Sequence, residues 1–412
     1  MEMDPGDVAW ILVSSALVLF MVPGLALFYG GMVRSKNVLN MLLMNFYCMG
    51  IVPVVWVLLG YTLIAGEGPD VGLIGSFEFA GFSGVTASED ILFAFFGMTF
   101  AVITPALIAG AVADRLKFSV WAVFVPIWVV LVYVPVFYWI YGPNGWLDER
   151  GSLDFAGGTA IHVNAGIAAL AFVLVLGKRK GWPKEGMQPH NLTLVMVGAG
   201  ILWFGWFGFN AGSAGAADGA AIQAFMNTFL AGAAAMIAWL AVEWLKEGRP
   251  TTLGAASGVV AGLVAITPAA GYVGGLAALG FGAVAGVVCF FAIGMKYKLG
   301  YDDSLDVVGV HLVGGIIGGV LIGFLADPDA IPGSDFAAGL FFGGGGELLF
   351  EQVLSIVVVM IFSFAVTFVL AKLLDATMGL RVSDEDEQQG LDLTQHAESA
   401  YNIGELGSMD RI

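Results

Sequence analysis

Apolar residues run along this chain in long, nearly unbroken stretches, with polar residues confined to the short segments between them. Eleven stretches stand out, at roughly residues 8–30, 38–65, 91–112, 119–141, 157–177, 192–211, 220–243, 253–268, 271–294, 305–326 and 347–374. About 20 apolar residues is the length a helix needs to cross a hydrocarbon core of roughly 30 Å. Lipid offers the backbone no hydrogen-bond partner, so a spanning segment must satisfy its own N–H and C=O groups, as a helix does. A membrane barrel would instead alternate polar and apolar residues in segments of about 10, and no such alternation is present. The pattern predicts an all-α integral membrane protein with eleven transmembrane helices. The signal is thinnest over 253–294, where glycine and alanine dilute it, and Thr267-Pro268 followed by Gly271 marks the break there.

The polar segments predict an orientation. With the N-terminus outside and the C-terminus inside, the inner segments carry Arg34, Lys36, Arg115, Lys117, Lys178, Arg179, Lys180, Lys184, Lys246, Arg249, Lys296, Lys298, Lys372, Arg381 and Arg411. The outer segments carry only Arg150. That asymmetry is the positive-inside rule, and a wrong span count would scramble it. The outer loops collect acids, among them Glu67, Asp70, Glu89, Asp90, Asp148, Asp327, Asp329 and Asp335, which either attract cations or merely solvate the loops.

Composition agrees with the pattern. Hydrophobic residues make up 58% of the 412 and charged residues 12%, against about 25% charged in a soluble domain. A net charge of −17 argues against a nucleic-acid partner. Cys48 and Cys289 both lie within apolar runs and read as small buried hydrophobes. The N-terminus lacks a basic stretch ahead of its first apolar run, so a cleaved signal peptide is not expected.

Ionisable residues within membrane spans are functional candidates, and here two histidines are among the few. His162 lies in the fifth span, before Val-Asn-Ala-Gly-Ile, and His311 in the tenth, before Leu-Val-Gly-Gly-Ile. Each span opens with an aspartate, Asp154 ahead of His162 and Asp306 ahead of His311. Equivalent positions on oppositely directed helices five spans apart indicate an inverted repeat. Spans 1–5 and 6–10 would form its halves, with the eleventh outside. At 1.5 Å per residue the histidines enter from opposite faces by roughly 8–12 Å, so they can meet near the bilayer centre. Neutral imidazoles each offer one donor and one acceptor, and a bonded pair would make a polar rail through an apolar channel. Two separate core histidines, or a haem held between two helices, are the other readings. The many glycines, including Gly157-Gly158, Gly314-Gly315 and Gly318-Gly319, fit close helix packing and a narrow lumen.

Several strings then combine. They are A-L-F-Y-G-G at 26–31 with Lys36-Asn37-Val38-Leu39, D-F-A-G-G-T-A-I-H-V-N at 154–164, and G-W-F-G-F-N-A-G-S-A-G at 205–215. D-D-S-L-D-V-V-G-V-H follows at 302–311, then G-L-R-V at 379–382, an acidic run, and Tyr401-Asn402. In order, from about residue 16 to 402, they resemble the signatures of the Amt branch of the ammonium transporter (Amt/Rh) family. The resemblance implies a homotrimer in the cell membrane, with one pore per subunit and ammonium or ammonia as substrate. It implies no cofactor, metal or enzymatic activity. It assigns Phe100, Tyr141, Ser213 and Asp154 to an outer vestibule, Phe100 and Phe209 to a gate of stacked rings, and His162, His311 and Trp206 to the conduction path. Asp154 is also placed to cap its helix. One departure stands out: many members carry tryptophan where this chain has Tyr141, with Trp139 and Trp146 flanking it. Tyrosine is the weaker cation–π partner, so a weaker or differently shaped vestibule site is expected.

The domain reading is a transmembrane unit over 1–376 and a cytoplasmic regulatory tail over 377–412. The tail, with Arg381, Asp384, Glu385, Asp386, Glu387 and Tyr401, resembles the segment that docks a PII-type signalling protein, the alternative being an acidic disordered segment. No P-loop is present to drive a pump. The competing readings are a Rhesus-type NH3 or CO2 channel and an ammonium receptor without net transport.

Overall fold

The structure, a computed structural model, describes residues 3–68, 72–331 and 334–401. Asp70, Asn402 and Arg411, used above, lie outside the described residues. Apart from one antiparallel bridge between Leu116 and Arg381, the described residues form helices and loops only. Among the described residues, eleven helices are long and apolar enough to cross a membrane. In chain order they are Pro5–Met32, Val38–Gly60, Ser88–Val112, Phe118–Tyr141, Gly158–Leu176, Leu192–Gly212, Gly219–Glu247, Thr252–Ala269, Gly275–Leu299, Val308–Leu325 and Glu347–Met378, here spans 1 to 11. The face carrying the C-terminal tail is called the tail side, and the opposite face the far side.

Polar residues at the run boundaries fix where helices start. Side-chain oxygens of Asp4, Asn191, Asp218 and Thr251 accept N–H groups of Gly6, Leu194, Ala221 and Gly254, satisfying donors that a first turn leaves free. Among the boundaries that differ from the sequence reading are those of spans 9 and 10. Span 9 begins at Gly275 and runs to Leu299, which brings Lys296 and Lys298 into its last turns. Span 10 begins at Val308, because Asp306 adopts φ +65° and interrupts the helix that apolarity alone would start at 305.

Spans 5 and 10 cross at the centre of the molecule, and each opens with a π turn, Gly158–Val163 and Val308–Leu312. Their crossing depends on two glycines, each four residues after its histidine. A Cβ on Gly166 would lie 2.5 Å from the Leu312 nitrogen, and one on Gly315 would lie 2.9 Å from the Gly158 oxygen. The loss of both positions to any larger residue would push the two helices apart.

Loops on the tail side are bound together by buried charge. Arg179 bridges Asp302 at 2.8 Å and Asp114 at 3.5 Å, and Arg34 reaches Asp114 at 3.1 Å. Arg115, fully buried, donates to the carbonyls of Gly177 and Asp302 and to the Ser304 hydroxyl. On the far side, Arg150 clamps the Glu351 carboxylate with two bonds of 2.7 and 2.8 Å, anchoring span 11 to the loop after span 4.

Candidate functional site

A far-side cavity of about 360 Å³ opens where spans 2, 4 and 6 end and span 3 begins. Its walls are mostly aromatic, with Trp56, Tyr61, Phe96, Phe137, Tyr141 and Phe155 around Phe100 and Ser213. Tyr141 packs against Phe137 with ring centroids 4.7 Å apart and keeps 36% of its surface exposed. Trp139 does not share this cavity: its indole donates to the Leu73 carbonyl, and its ring packs on Phe362. Trp146 meets Trp139 edge-on, on the same side. The Ser213 hydroxyl donates to the Phe209 carbonyl at 2.8 Å. Its own proton is therefore committed, and its lone pairs remain to accept a donor from the cavity.

The Phe100 and Phe209 rings close the floor, 4.5 Å between centroids. They are tilted at 50° rather than stacked in parallel, an arrangement the ring quadrupoles favour over a face-to-face sandwich. Below them Phe209 lies over His162 at 6.0 Å, and Trp206 stacks on His162 at 5.4 Å and 21°. Trp206 is held in place by an indole bond of 2.8 Å to the Thr267 hydroxyl.

The two histidines meet. His162 Nδ1 lies 3.2 Å from His311 Nδ1, with ring planes 17° apart. One nitrogen must donate and the other accept, so the outward-facing Nε2 atoms are necessarily one acceptor and one donor. His162 Nε2 is buried with no partner among the described residues and borders a space of about 10 Å³ lined by Leu25, Ile103, Leu107, Leu202 and Val260. That is close to the smallest volume that admits a water-sized molecule. On the tail side of His311 a second small cavity, about 20 Å³, reaches Asp306.

Asp154 lines none of these three cavities. Its carboxylate accepts four backbone N–H groups, from Gly157, Gly158, Thr159 and Ala160, at 2.6 to 3.0 Å. Burial raises its carboxyl above the usual range, and the four N–H groups pull the other way. The equivalent residue in the second half is Asp303 rather than the expected Asp306. Asp303 stands eight residues before His311, as Asp154 stands eight before His162, and its Oδ2 accepts the Val308 N–H at 2.7 Å. Asp306 bonds Lys296 instead.

Comparison with known proteins places the chain at the level of family. A family model described as "Ammonium Transporter Family" matches residues 9–401. The chain belongs to the ammonium transporter family. It is 50% identical to the ammonium transporter of Mycobacterium bovis, over 97% of this chain and 91% of the relative. It is 46% identical to that of Bacillus subtilis, over 97% and 99%. Among solved structures, Candida albicans Mep2 superposes with a TM-score of 0.88 at 34% identity, covering 93% of this chain and 87% of that one. A structure titled "Sensor Amt Protein" superposes equally well, TM-score 0.88, at 27% identity over 95% and 98%.

In this member of the ammonium transporter family the tail is packed against the tail side rather than free. Short helices Asp384–Gln389 and Leu391–His396 follow span 11. Glu387, 1% exposed, accepts the Lys180 N–H and the Arg381 guanidinium. Leu391 N–H donates to Asn37, Asp392 accepts the Asn40 N–H, and Tyr401 meets His190 at 2.8 Å. Asp384 and Glu385 stay exposed, and Asp386 is half-buried. The sequence reading missed Thr267, which positions Trp206, and the aromatic wall from Trp56 and Tyr61. It also missed Asp303, whose spacing to His311 was legible.

Proposed function

We propose that this chain transports ammonium, binding NH4⁺ in the aromatic far-side cavity, releasing its proton near the Phe100–Phe209 gate, and passing NH3 along His162 and His311. NH4⁺ and K⁺ are of similar size, so selection rests on direction. The Ser213 lone pairs accept an N–H, and the rings of Phe100 and Tyr141 attract the cation by up to about 2 kcal/mol each when desolvated. K⁺ has no N–H to give. Beyond the gate the lumen is apolar and nearly closed, and a bare cation there is costly. Losing a proton first removes most of that cost. The observation that carries the reading is the 3.2 Å histidine pair lying in an apolar lumen directly beneath a ring gate. Asp154 contributes as the cap that holds the His162 helix.

The basic loops, on the positive-inside rule, put the tail side in the cytoplasm and the cavity outside. In the same reading the unit over 1–376 acts as a homotrimer in the cell membrane, without enzymatic turnover. The 377–412 segment is a docking element for a PII-type protein. Light scattering of the purified protein tests the trimer. Deletion of 383–412 tests the tail, and PII binding retained after it refutes that role.

The decisive experiment records current on a solid-supported membrane after rapid ammonium addition, with K⁺ as control. A transient with ammonium alone establishes selective transport with charge movement. No current, with NH3 entry above protein-free liposomes by an internal pH dye, establishes electroneutral conduction. Silence in both favours an ammonium sensor, the reading prompted by the likeness to the "Sensor Amt Protein" structure.

A further inference from the structure

The tail-side exit holds an ammonium group already. Lys296, in the last turns of span 9, is 6% exposed. Its Nζ donates to the Asp306 carboxylate at 2.6 Å and to the Asp303 carbonyl at 2.9 Å, and lies 5.6 Å from the centre of the Tyr297 ring. A carboxylate oxygen, a carbonyl oxygen and a ring face are the partners that a free ammonium ion would also take. Among the described residues, Asp306 is the one carboxylate lining the small cavity that begins at His311. It is therefore the first charged acceptor met by anything leaving the histidine pair.

Asp306 is not needed to cap span 10. Capping of span 10 is done by Asp303, which accepts the Val308 N–H. Asp306 itself sits at φ +65°, a conformation uncommon outside glycine, though aspartate tolerates it better than most. Uncommon backbone of this kind concentrates at functional positions. Here it turns a carboxylate toward both the exit cavity and Lys296.

We propose that Lys296 is a tethered ammonium occupying a cation site at the tail-side exit, and that it keeps Asp306 from retaining NH4⁺ re-formed there. The inference rests on the transport reading above. The carboxylate makes the exit polar enough to receive a protonated product, while the lysine neutralises it and competes for its oxygens. The exit thus binds ammonium weakly, the far-side cavity binds it more tightly, and product leaves without being trapped. Replacing the lysine by an uncharged residue empties the site for free ammonium.

The test needs the two sides to be separated. Full-length protein is captured on an electrode through a tag after Ile412, and the membrane is assembled around it, so every tail side faces the electrode reservoir. Half-saturating ammonium is then measured from each side. Wild type is expected to need at least about tenfold more on the tail side, the change expected for one charge-assisted contact. Lys296→Met and Lys296→Gln are expected to lower the tail-side to far-side ratio by about tenfold. Lys296→Arg keeps the wild-type ratio, and the double variant Lys296→Met with Asp306→Asn loses the gain. A folded Met or Gln variant that transports with the wild-type ratio overturns the inference, as does a wild-type ratio of one or below. Wild-type protein silent from both sides overturns the transport reading, and this inference with it.

Discussion

Asp154→Asn separates a structural carboxylate from one that acts on the permeant ion. In the structure Oδ1 accepts the N–H groups of Gly157 and Gly158, and Oδ2 those of Thr159 and Ala160. An asparagine keeps one oxygen and sets an NH2 group against the remaining two N–H donors. Two buried donors then lose their acceptor and face a donor. Each orphaned buried group costs about 1–3 kcal/mol, and the bonds lost are charge-assisted, at the stronger end of the range. The expected loss is therefore on the order of 3 kcal/mol or more. Because the damaged turn is the π turn that carries His162, transport should fall together with stability. The assay is thermal unfolding by intrinsic tryptophan fluorescence in detergent, paired with ammonium current. A drop of about 3 °C or more is expected, with the scaling reduced for a chain this long. An Asp154→Asn protein that unfolds at the wild-type temperature yet transports nothing would refute the capping argument, and would mean that the carboxylate acts on the ion directly.

Three further outcomes follow from the geometry. Tyr141→Trp enlarges the ring facing the cavity, and half-saturating ammonium should fall by about two- to fivefold, the return on a better cation–π partner; unchanged affinity and K⁺ discrimination would refute the role given to Tyr141. Thr267→Val strips the acceptor from the buried Trp206 indole and should cost about 1–3 kcal/mol in unfolding measurements, while Thr267→Ser keeps the bond and stays near wild type. Acid should weaken the tail side through Asp302: burial raises its carboxyl, but the Arg179 bonds and the Arg115 charge outweigh that and hold it below the ordinary value. With the folded value lowered, its contribution is complete above the unfolded carboxyl range near pH 4 and is lost as pH falls through the folded value. The stability advantage of wild type over Asp302→Asn should accordingly shrink below about pH 4, and an advantage that is constant from pH 7 to 3 would contradict the ion-pair account.

Much of this architecture can be read without coordinates, for a physical reason that the boundaries illustrate. Lipid demands long apolar runs, so eleven runs become eleven helices. Where the reading slipped, a tertiary demand overrode apolarity. Span 10 starts late because Asp306 breaks the helix and reaches Lys296. Span 9 runs long because Lys296, a charge that marks a loop in sequence, is buried against two aspartates. Several basic residues that signal orientation also have a second use: Arg115 and Arg179 cross-brace the loops they lie in.

The residues of the candidate site were nameable from their strings, but what they do to one another was not. Phe100 and Phe209 are more than 100 positions apart in the chain and touch only because the far-side half of span 3 and the far-side end of span 6 face each other at the cavity floor. Tyr141, and not the neighbouring Trp139, faces the cavity because the helix turns adjacent side chains to different faces.

The sequence by itself determined the spans, the family, the two central histidines and the glycines beside them, since each is set by lipid or by local spacing. Tertiary structure alone decided that the histidines bond through their Nδ1 atoms, that Asp154 and Asp303 cap helices while Asp306 bonds a lysine, and that the acidic tail packs down. Those outcomes depend on distances between groups far apart in the chain, and local pattern carries no information about such distances.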